Sequence, residues 1–463
     1  MKKVAVNLLK KEKRTFAHGV HPPECKEATA GRPIRRLAFP PQVIVPLQQH
    51  TGVPAVPVVR EGQEVVRGEP IAKAGGFVSV PMHAPVTGVV HYIGLGPSPT
   101  GAMTPSIFIK AYPGATQEIL YGAPREIDRM TPEELVLAVQ DTGMVGLGGA
   151  AFPTHVKLAV PKGKQVDTLI INGCECEPYL TTDHRVMIER AEDILAGVVV
   201  AARAVGAQRV IAGVEDNKPD AVEALKSALT RCPLQTEVIP LPTKYPQGAE
   251  KMLTKALLGR EVPSGGLPVD IGTVIMNVAT LAQIGDLLPK HQGLIERVVT
   301  ITGPGVLKPG NYLMPLGTPL WFALEYAGFT GKANQVVFGG PMMGMAISSL
   351  ATPITKGVTG IVAFTEPVGD GAERPVYPCI KCGSCVDACP IHLNPSRLGL
   401  LARKGQYQAM EEEFHLNDCF ECGCCSFVCP SGIPLVHYFR VAKTANRQRR
   451  AREKAAASSG GNS

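Results

Sequence analysis

Cys379-Ile380-Lys381-Cys382-Gly383-Ser384-Cys385-Val386-Asp387-Ala388-Cys389-Pro390 recurs in kind as Cys419-Phe420-Glu421-Cys422-Gly423-Cys424-Cys425-Ser426-Phe427-Val428-Cys429-Pro430. Both runs spell C-x2-C-x2-C-x3-C-P, the ligand spacing of a chain that carries two [4Fe–4S] clusters. Three thiolates at this spacing wrap one cube because a tight turn points each sulfur inward. The fourth, placed after a short helical turn, reaches the other cube. One set is then Cys379, Cys382, Cys385 and Cys429, and the other is Cys419, Cys422, Cys425 and Cys389. Structural zinc takes its ligands in two pairs, without a trailing Cys-Pro, and so fits this pattern poorly. The expectation is one-electron transfer.

The remaining bulk properties narrow the class. A chain of 463 residues holds about three domains of ordinary size. Of its 13 cysteines, only Cys25, Cys174, Cys176 and Cys232 lie outside the doubled run, and thiols at this density point to a reducing compartment. Ile194 to Val214, the most apolar candidate span, is interrupted by Arg203 and Arg209, and the apolar core of the N-terminus is too short for a secretory signal. The chain is therefore expected neither to cross a membrane nor to be exported. Much of its net charge of +7 sits in the tail, at Arg440, Lys443, Arg447, Arg449, Arg450, Arg452 and Lys454. Such a run reads as a solvated helix end, with docking to an acidic partner or membrane surface as the alternative. No interleaved aromatics accompany it, so nucleic-acid binding is not expected.

The fold class expected is α/β multidomain. After an N-terminal extension (1–36), residues 37–125 show short strands broken by Gly and Pro, an all-β unit. Val59 to Ala72 and His83 to Val90 resemble the two halves of a lipoyl/biotinyl-type barrel-sandwich. The turn near Pro81-Met82-His83 offers no Lys to carry such a cofactor, so the unit reads as structural or as an interaction surface. Residues 126–290 alternate helix and strand and imply a largely parallel sheet. Thr131 caps a helix over Pro132 to Asp141, Thr168 to Ile171 and Arg209 to Val214 are strands, and helices are expected over Arg185 to Ala204 and Pro219 to Thr230. Residues 291–366 return to strand and turn and resemble a soluble ligand-binding β-grasp insert. Past a Gly-rich linker, Pro367 to Gly371, comes a mainly helical, ferredoxin-like domain (367–440) with a helix over Arg397 to Phe414. The basic tail (441–463) is expected to be disordered, at least from Ala455 onward.

A donor for the clusters is suggested by Gly146-Leu147-Gly148-Gly149-Ala150-Ala151-Phe152-Pro153-Thr154-His155-Val156-Lys157. Its glycines let backbone N–H groups approach phosphate oxygens, with Lys157 to balance charge, although such a loop taken alone is as readily a turn. Asn172-Gly173-Cys174-Glu175-Cys176-Glu177-Pro178 follows a strand of the sheet, where ligands of α/β folds bind. Its carboxylates fit either a solvated loop or a nucleotide site. Both loops resemble the flavin-binding signature of the NADH-binding flavoprotein subunit of respiratory complex I. That resemblance implies that Gly146, Gly148, Gly149 and Lys157 line a non-covalent FMN, that Phe152 stacks near the nicotinamide, that Asn172 and Glu175 contact the isoalloxazine, and that Glu177 helps hold NADH. Tyr245-Pro246-Gln247-Gly248-Ala249-Glu250 and Asn277-Val278-Ala279-Thr280 match two further loops of that family, which adds Tyr245, Gly248, Glu250, Asn277 and Thr280. Ala151, Cys174, Met276 and Ala279 depart from its pattern.

Over residues 10 to 440 the order of motifs, His21-Pro22-Pro23-Glu24, the barrel-sandwich, Gly143 to Lys157, Gly339-Gly340-Pro341-Met342-Met343-Gly344 and the doubled cysteine run, resembles the C subunit of the Rnf ion-translocating oxidoreductase. The resemblance implies a peripheral subunit on the cytoplasmic face of the membrane. It would exchange electrons between NAD(H), FMN and two [4Fe–4S] clusters and pass them to integral membrane and ferredoxin-like subunits, with ferredoxin served indirectly. No general acid, base or nucleophile is needed, because FMN takes a hydride and releases single electrons. Two other readings stay open: a soluble cobalamin reductase-type flavo-iron–sulfur protein, and a relay subunit without NADH oxidation of its own. Cys174, Cys176 and Cys424 read as packing thiols, His18 and His21 as loop residues, and Met342-Met343 as packing.

Overall fold

The structure, a computed structural model, describes residues 14–366 and 375–459. The expected linker from Pro367 to Gly371 lies outside the described residues, as do the N-terminal eleven residues read for a signal.

The barrel-sandwich forms as two antiparallel sheets. One orders Gln42–Pro46, Met103–Ala111, Gly88–Pro97 and Glu64–Val65, and the other orders Val56–Pro57, Pro70–Lys73 and Met82–His83. Alternation along Met103–Ala111 turns Ile107 and Ile109 inward onto Val43, Val45 and Val90, the period-two burial of a two-faced sheet. The turn near Pro81-Met82-His83 is an interaction surface within the chain. Lys356 Nζ donates to the carbonyls of Pro81 (3.0 Å) and Gly143 (2.7 Å), which pins the hairpin to the start of the glycine-rich loop. Burial holds the Lys356 amine down at about 7.

The α/β unit has four parallel strands in the order Gln235–Leu241, Arg209–Glu215, Thr168–Gly173 and Thr273–Asn277. The two middle strands are nearly all buried, as strands covered on both faces are. Helix Pro132–Asp141 starts at the expected cap, with Thr131 and Glu134 in a reciprocal capping box. The helix expected over Arg185 to Ala204 is two helices, Thr182–Glu189 and Ala191–Val205. They break at Arg190, whose backbone leaves the helical region while its guanidinium binds Asp193 (2.8 Å) and Asp286 (2.9 Å). Hydrophobic period continues through that break, so the pattern alone did not reveal it.

The third unit builds a six-stranded sheet. Its edge is Ile34–Arg36 from the N-terminal extension, parallel to Gly310–Pro315, so the extension is part of this fold. Leu320–Tyr326 is a helix where strand and turn were expected. Leu320, Ala323, Leu324 and Ala327 form its buried stripe. In the cysteine segment the helix expected over Arg397 to Phe414 is divided into Pro395–Arg403 and Tyr407–Glu412 by Gly405, which sits at φ +66°. Over its described part, up to Ser459, the tail does not match the expected disorder: one helix runs Leu435–Ser459, and the last four residues of that expectation lie outside the described residues. Ala442 is buried and Asn446 donates to the Tyr407 carbonyl at 2.7 Å, so tertiary contacts hold the first half of this helix in place.

Ala191–Val205 crosses Val278–Leu287 at very short range because glycines sit at the contact. A Cβ on Gly197 would lie 1.9 Å from the Leu281 carbonyl oxygen, and one on Gly285 2.0 Å from that of Asp193. Backbone cannot yield as a side-chain tip can, so Gly285→Ala is expected to lower stability by about 1–3 kcal/mol, the usual range for overpacking, as read by chemical denaturation.

Candidate functional site

The loops named from sequence meet at the carboxyl ends of the parallel strands. Asn172 and Asn277 end adjacent strands in register, and Gly148 packs against the Asn277 side chain. Asn277 Oδ1 accepts from the N–H groups of Ala279 (2.9 Å) and Thr280 (3.3 Å), capping helix Val278–Leu287. Thr280 Oγ1 accepts from Leu147 N–H at 2.9 Å, so Asn277 and Thr280 fasten the glycine-rich loop. Within that loop Gly146 donates to the Phe152 carbonyl (2.8 Å), and Phe152 itself is half-buried. Gly149, at φ +112°, has open space where a Cβ would stand. Ala151 occupies a left-handed φ of +48°, the conformation a glycine would favour, so its departure from the flavoprotein pattern keeps the backbone path.

Asn172 Nδ2 donates to the Gly248 carbonyl (2.9 Å), and Gly248 lies so close to Cys174 that a Cβ would be 2.3 Å from its carbonyl oxygen. Lys157 pairs with Glu250 and donates to the Ile275 carbonyl (3.1 Å). Gln247, fully buried between Pro246 and Gly248, has neither amide atom paired among the described residues. Glycine approach, backbone N–H groups, a lysine and an unpaired buried amide at strand ends form a donor set that fits a flavin phosphate and ring system.

The two carboxylates of the second loop are more deeply engaged than the sequence implied. Glu175 is buried, and its oxygens accept from Asp183 N–H (2.9 Å) and His184 N–H (3.1 Å) at the start of helix Thr182–Glu189. This makes it a helix-terminal anion beneath the loop. Glu177 accepts from the N–H groups of Met342 (3.1 Å) and Met343 (2.8 Å), and burial pushes its carboxyl up to about 7. Tyr245, 1% exposed, donates its hydroxyl to the Cys422 carbonyl at 2.6 Å, so it faces the cysteine runs. Cys174 donates to the Gly213 carbonyl (3.5 Å) and Cys176 accepts from Gly248 N–H (3.4 Å), both as packing thiols.

Residues that the motifs did not mark support these loops from below. Asp183 Oδ2 accepts from Asn277 Nδ2 at 2.6 Å, while its Oδ1 is buried without a partner among the described residues. Buried Arg297 donates to the Leu147 carbonyl (3.0 Å) and to that of Lys356, and burial holds it down at about 10. Buried Lys26 donates to the carbonyls of Glu175 (2.6 Å) and Leu180 (2.7 Å). Their sequence neighbours are themselves polar or charged, as in Glu24-Cys25-Lys26-Glu27 and Thr182-Asp183-His184-Arg185, so no local signal set them apart.

The cysteine runs share one backbone path. Lys381 and Glu421 are left-handed (φ +58° and +62°), as are Gly383 and Gly423 (φ +83° and +85°), and short helices Ser384–Asp387 and Cys424–Phe427 follow. Cys379, Cys382, Cys385 and Cys429 line a single cavity, which brings the trailing Cys of the second run to the first. Burial, and then the Cys419, Cys422 and Cys389 thiols, push the Cys425 thiol up. Among the described residues no three or more His, Cys, Asp or Glu converge on a single-ion position. Sulfurs spread around a hollow are what a cubane needs, because its ligands stand at the corners of a body and not around one point. The buried Cys424 packs with Val20, Tyr245 and Ala388.

A flavin-type nucleotide site and a thiolate-lined cluster segment in one chain define a flavo-iron–sulfur electron-transfer protein. Comparison with known families agrees with each part. The Nuo51 FMN-binding domain matches residues 139–286, the RnfC barrel sandwich hybrid domain 14–112, the SLBB domain 298–346 and the 4Fe-4S dicluster domain 378–433. The chain is 44% identical over 446 residues to the C subunit of the proton-translocating ferredoxin:NAD(+) oxidoreductase complex of Clostridium ljungdahlii, covering 96% of each. It is 41% identical to the C subunit of the Na(+)-translocating ferredoxin:NAD(+) oxidoreductase complex of Acetobacterium woodii, over 86% of this chain and 89% of that one. An NAD+-reducing [NiFe]-hydrogenase in the air-oxidized state overlaps more loosely, at 21% identity and a TM-score of 0.49, over 67% of this chain and 62% of that one. The chain belongs to the RnfC family, the C subunits of the Rnf ion-translocating oxidoreductases. FMN and iron–sulfur clusters are the cofactors of its matched domains. No helix among the described residues is long and apolar enough to cross a membrane.

Asp183 supplies a test of the supporting network. Burial, then the Glu175 carboxylate, push its carboxyl up to about 7 from an ordinary value near 3.8. Between those values the folded chain holds a proton that the unfolded chain has released, so stability falls as pH rises through this window. Asp183→Asn is expected to flatten the decline by up to about 1.4 kcal/mol per pH unit in its steepest part, as read by denaturant unfolding from pH 4 to 8. Glu177 has the same sign and would keep a residual slope.

Proposed function

We propose that this chain is the NAD(H)-reacting, peripheral subunit of a membrane-bound ion-translocating ferredoxin:NAD oxidoreductase, placed on the cytoplasmic face. It would pass electrons singly between FMN and two [4Fe–4S] clusters, and on to membrane and ferredoxin-like subunits. The contact that carries this reading is Tyr245 on Cys422, which joins the loops at the strand ends directly to a cluster-binding run. In the proposed division the flavin and NADH domain spans 126–290, the β-grasp unit 291–366 and the two-cluster domain 367–440.

When bound, FMN supplies the conversion between hydride and single-electron chemistry. The chain's own residues hold it: Gly146, Gly148 and Gly149 offer N–H groups to its phosphate, Lys157 and Glu250 border it, and Asn172, Gly248 and Gln247 close the opposite wall. Phe152 faces the nicotinamide side, and Glu177 orients the dinucleotide through the Met342-Met343 loop it anchors. Cys379, Cys382, Cys385 and Cys429 hold one cluster, and Cys389, Cys419, Cys422 and Cys425 the other. Buried Cys389 and Cys425 and the Tyr245 junction keep water out of the gap between the loops and the second cysteine set.

Anaerobically reconstituted protein is expected to hold one FMN and two clusters and to show NADH-driven bleaching of the flavin followed by EPR signals of reduced clusters. Glu177→Gln is expected to keep its flavin and to lower the rate of flavin reduction by NADH at least tenfold. Absence of NADH reduction in the unaltered, flavin-loaded protein supports the relay reading instead, which the complete engagement of Glu177 by two backbone N–H groups favours.

A further inference from the structure

Lys356 is among the largest side chains that the fold buries completely, at 1% exposure, and it stands where three units meet. It lies in the third unit, just before strand Gly360–Phe364. Its amine donates to the Pro81 carbonyl of the barrel-sandwich (3.0 Å) and to the Gly143 carbonyl (2.7 Å) at the head of the glycine-rich loop. Its backbone is held as well: the N–H donates to Gln49 Oε1 (3.0 Å), and the carbonyl accepts from Arg297. The next residue, Gly357, backs directly onto the loop, since a Cβ there would lie 3.2 Å from the Ala151 Cβ and 3.3 Å from the Gly149 carbonyl oxygen. Gly143 is left-handed (φ +71°), and a Cβ on it would stand 2.8 Å from the Lys356 amine, so glycine is what lets the amine come this close.

The amine is surrounded by dipoles and lacks an anion. Both of its acceptors are carbonyls, and Lys356 forms no ion pair among the described residues. Gly143 follows the carbonyl end of helix Pro132–Asp141, which favours a cation, but burial outweighs that and holds the amine down at about 7. Its charged and titratable neighbours do not make up the difference. Burial, and then Lys356 itself, hold His83 down at about 3 and His50 at about 4, so both are neutral. His291, beside His83, and His155, on the short helix after the loop, are lowered by burial too. Arg297 adds a positive charge, and Asp183 faces it. Lys157, read from sequence as the charge balance for a phosphate, is already paired with Glu250. Lys356 is thus a cation site without a counter-ion, directly behind the backbone proposed to cradle the FMN phosphate.

We propose that Lys356 is a proton-linked positioning residue of the flavin site: its ammonium form braces the glycine-rich loop against the other two units, and a phosphate seated on that loop supplies the counter-ion this form lacks. This rests on the reading that FMN places its phosphate on Gly146 to Gly149. Binding then draws up to one proton from solvent, an –NH2 becoming –NH3+ at Lys356, and no covalent bond forms. In the free chain that proton is lost as pH rises through about 7, whereas the loaded chain keeps it to higher pH. Between those two points FMN affinity falls by up to about tenfold per pH unit. Well below pH 7 both forms carry the proton, and the dependence vanishes.

The test uses the full chain with its clusters loaded and its flavin removed. Titration calorimetry with FMN at pH 8, in two buffers of different ionisation enthalpy, is expected to show net proton uptake. Asp183 and Glu177 titrate in the same range and keep their share in every variant, so the diagnostic quantity is the difference from Lys356→Met. Lys356→Met is expected to take up fewer protons, to bind FMN about tenfold more weakly at pH 7, and to show a flatter fall in affinity from pH 7 to 8.5. Lys356→Arg, whose charge does not titrate here, is expected to regain affinity without regaining the slope. A lysine that only fills space would weaken binding in both variants and leave the slope as it was. Riboflavin, which has the ring system and no phosphate, is expected to bind the unaltered chain with less proton uptake than FMN. No uptake by the unaltered chain overturns the proposal without any variant, and so does equal uptake in folded Lys356→Met. Riboflavin that binds as tightly as FMN sinks the phosphate reading itself, whatever Lys356 does.

Discussion

Cys429 of the second cysteine run lines one cavity with Cys379, Cys382 and Cys385 of the first, so the two runs must lie against each other for the cavity to exist, as the proposed exchange of a fourth thiol requires. The segment closes on itself, with Leu398, Leu401, Met410 and Leu416 from between the runs and Phe439 from the helix after them as its small core. A segment of this size buries little apolar surface, and thiolate ligation supplies what a larger core would otherwise provide. The long helix from Leu435 docks across the pair and ties itself to the second run, where Lys443 donates to the Cys419 carbonyl and Arg440 pairs with Glu421 (3.1 Å).

The flavin side is organised by a different constraint, the buried polar network beneath the strand ends. Asp183, Glu175, Arg297 and Lys26 each engage groups of a loop, and together they join the N-terminal extension, the parallel sheet and the β-grasp unit. Buried charges of this kind contribute less to net stability than to geometry, because desolvation offsets much of their attraction. What they supply here is one arrangement of four loops that come from distant parts of the sequence. The carboxylates at Glu175 and Glu177 show how context decides a role. One became a helix-terminal anion and the other a clamp on the Met342-Met343 turn, although both sit in the same short motif.

Local chemistry made much of the fold legible. The cysteine spacing, the Thr131 capping box, the apolar strand Thr168 to Ile171 and the Gly and Pro breaks of the barrel-sandwich each encode their structure within a few residues. Errors arose where a distant partner decided the outcome. Arg190 ends a helix because Asp286 lies across from it, Gly405 divides another, and the basic tail is helical because Ala442 and Asn446 dock on the cluster segment. Ile34–Arg36 reads as an extension and becomes a sheet edge only once Gly310–Pro315 is beside it.

By itself the sequence determined the chemistry: thiolates in cubane spacing, a glycine-rich loop before a parallel strand, and the order of domains along the chain. Those properties depend on residue type at fixed short offsets, which the covalent chain carries directly. The tertiary structure alone decided that Tyr245 reaches Cys422, and that Asp183, Gln247 and Arg297 lie among the loops at the strand ends. Such facts depend on which distant segments pack together, and no short offset in a linear chain records that.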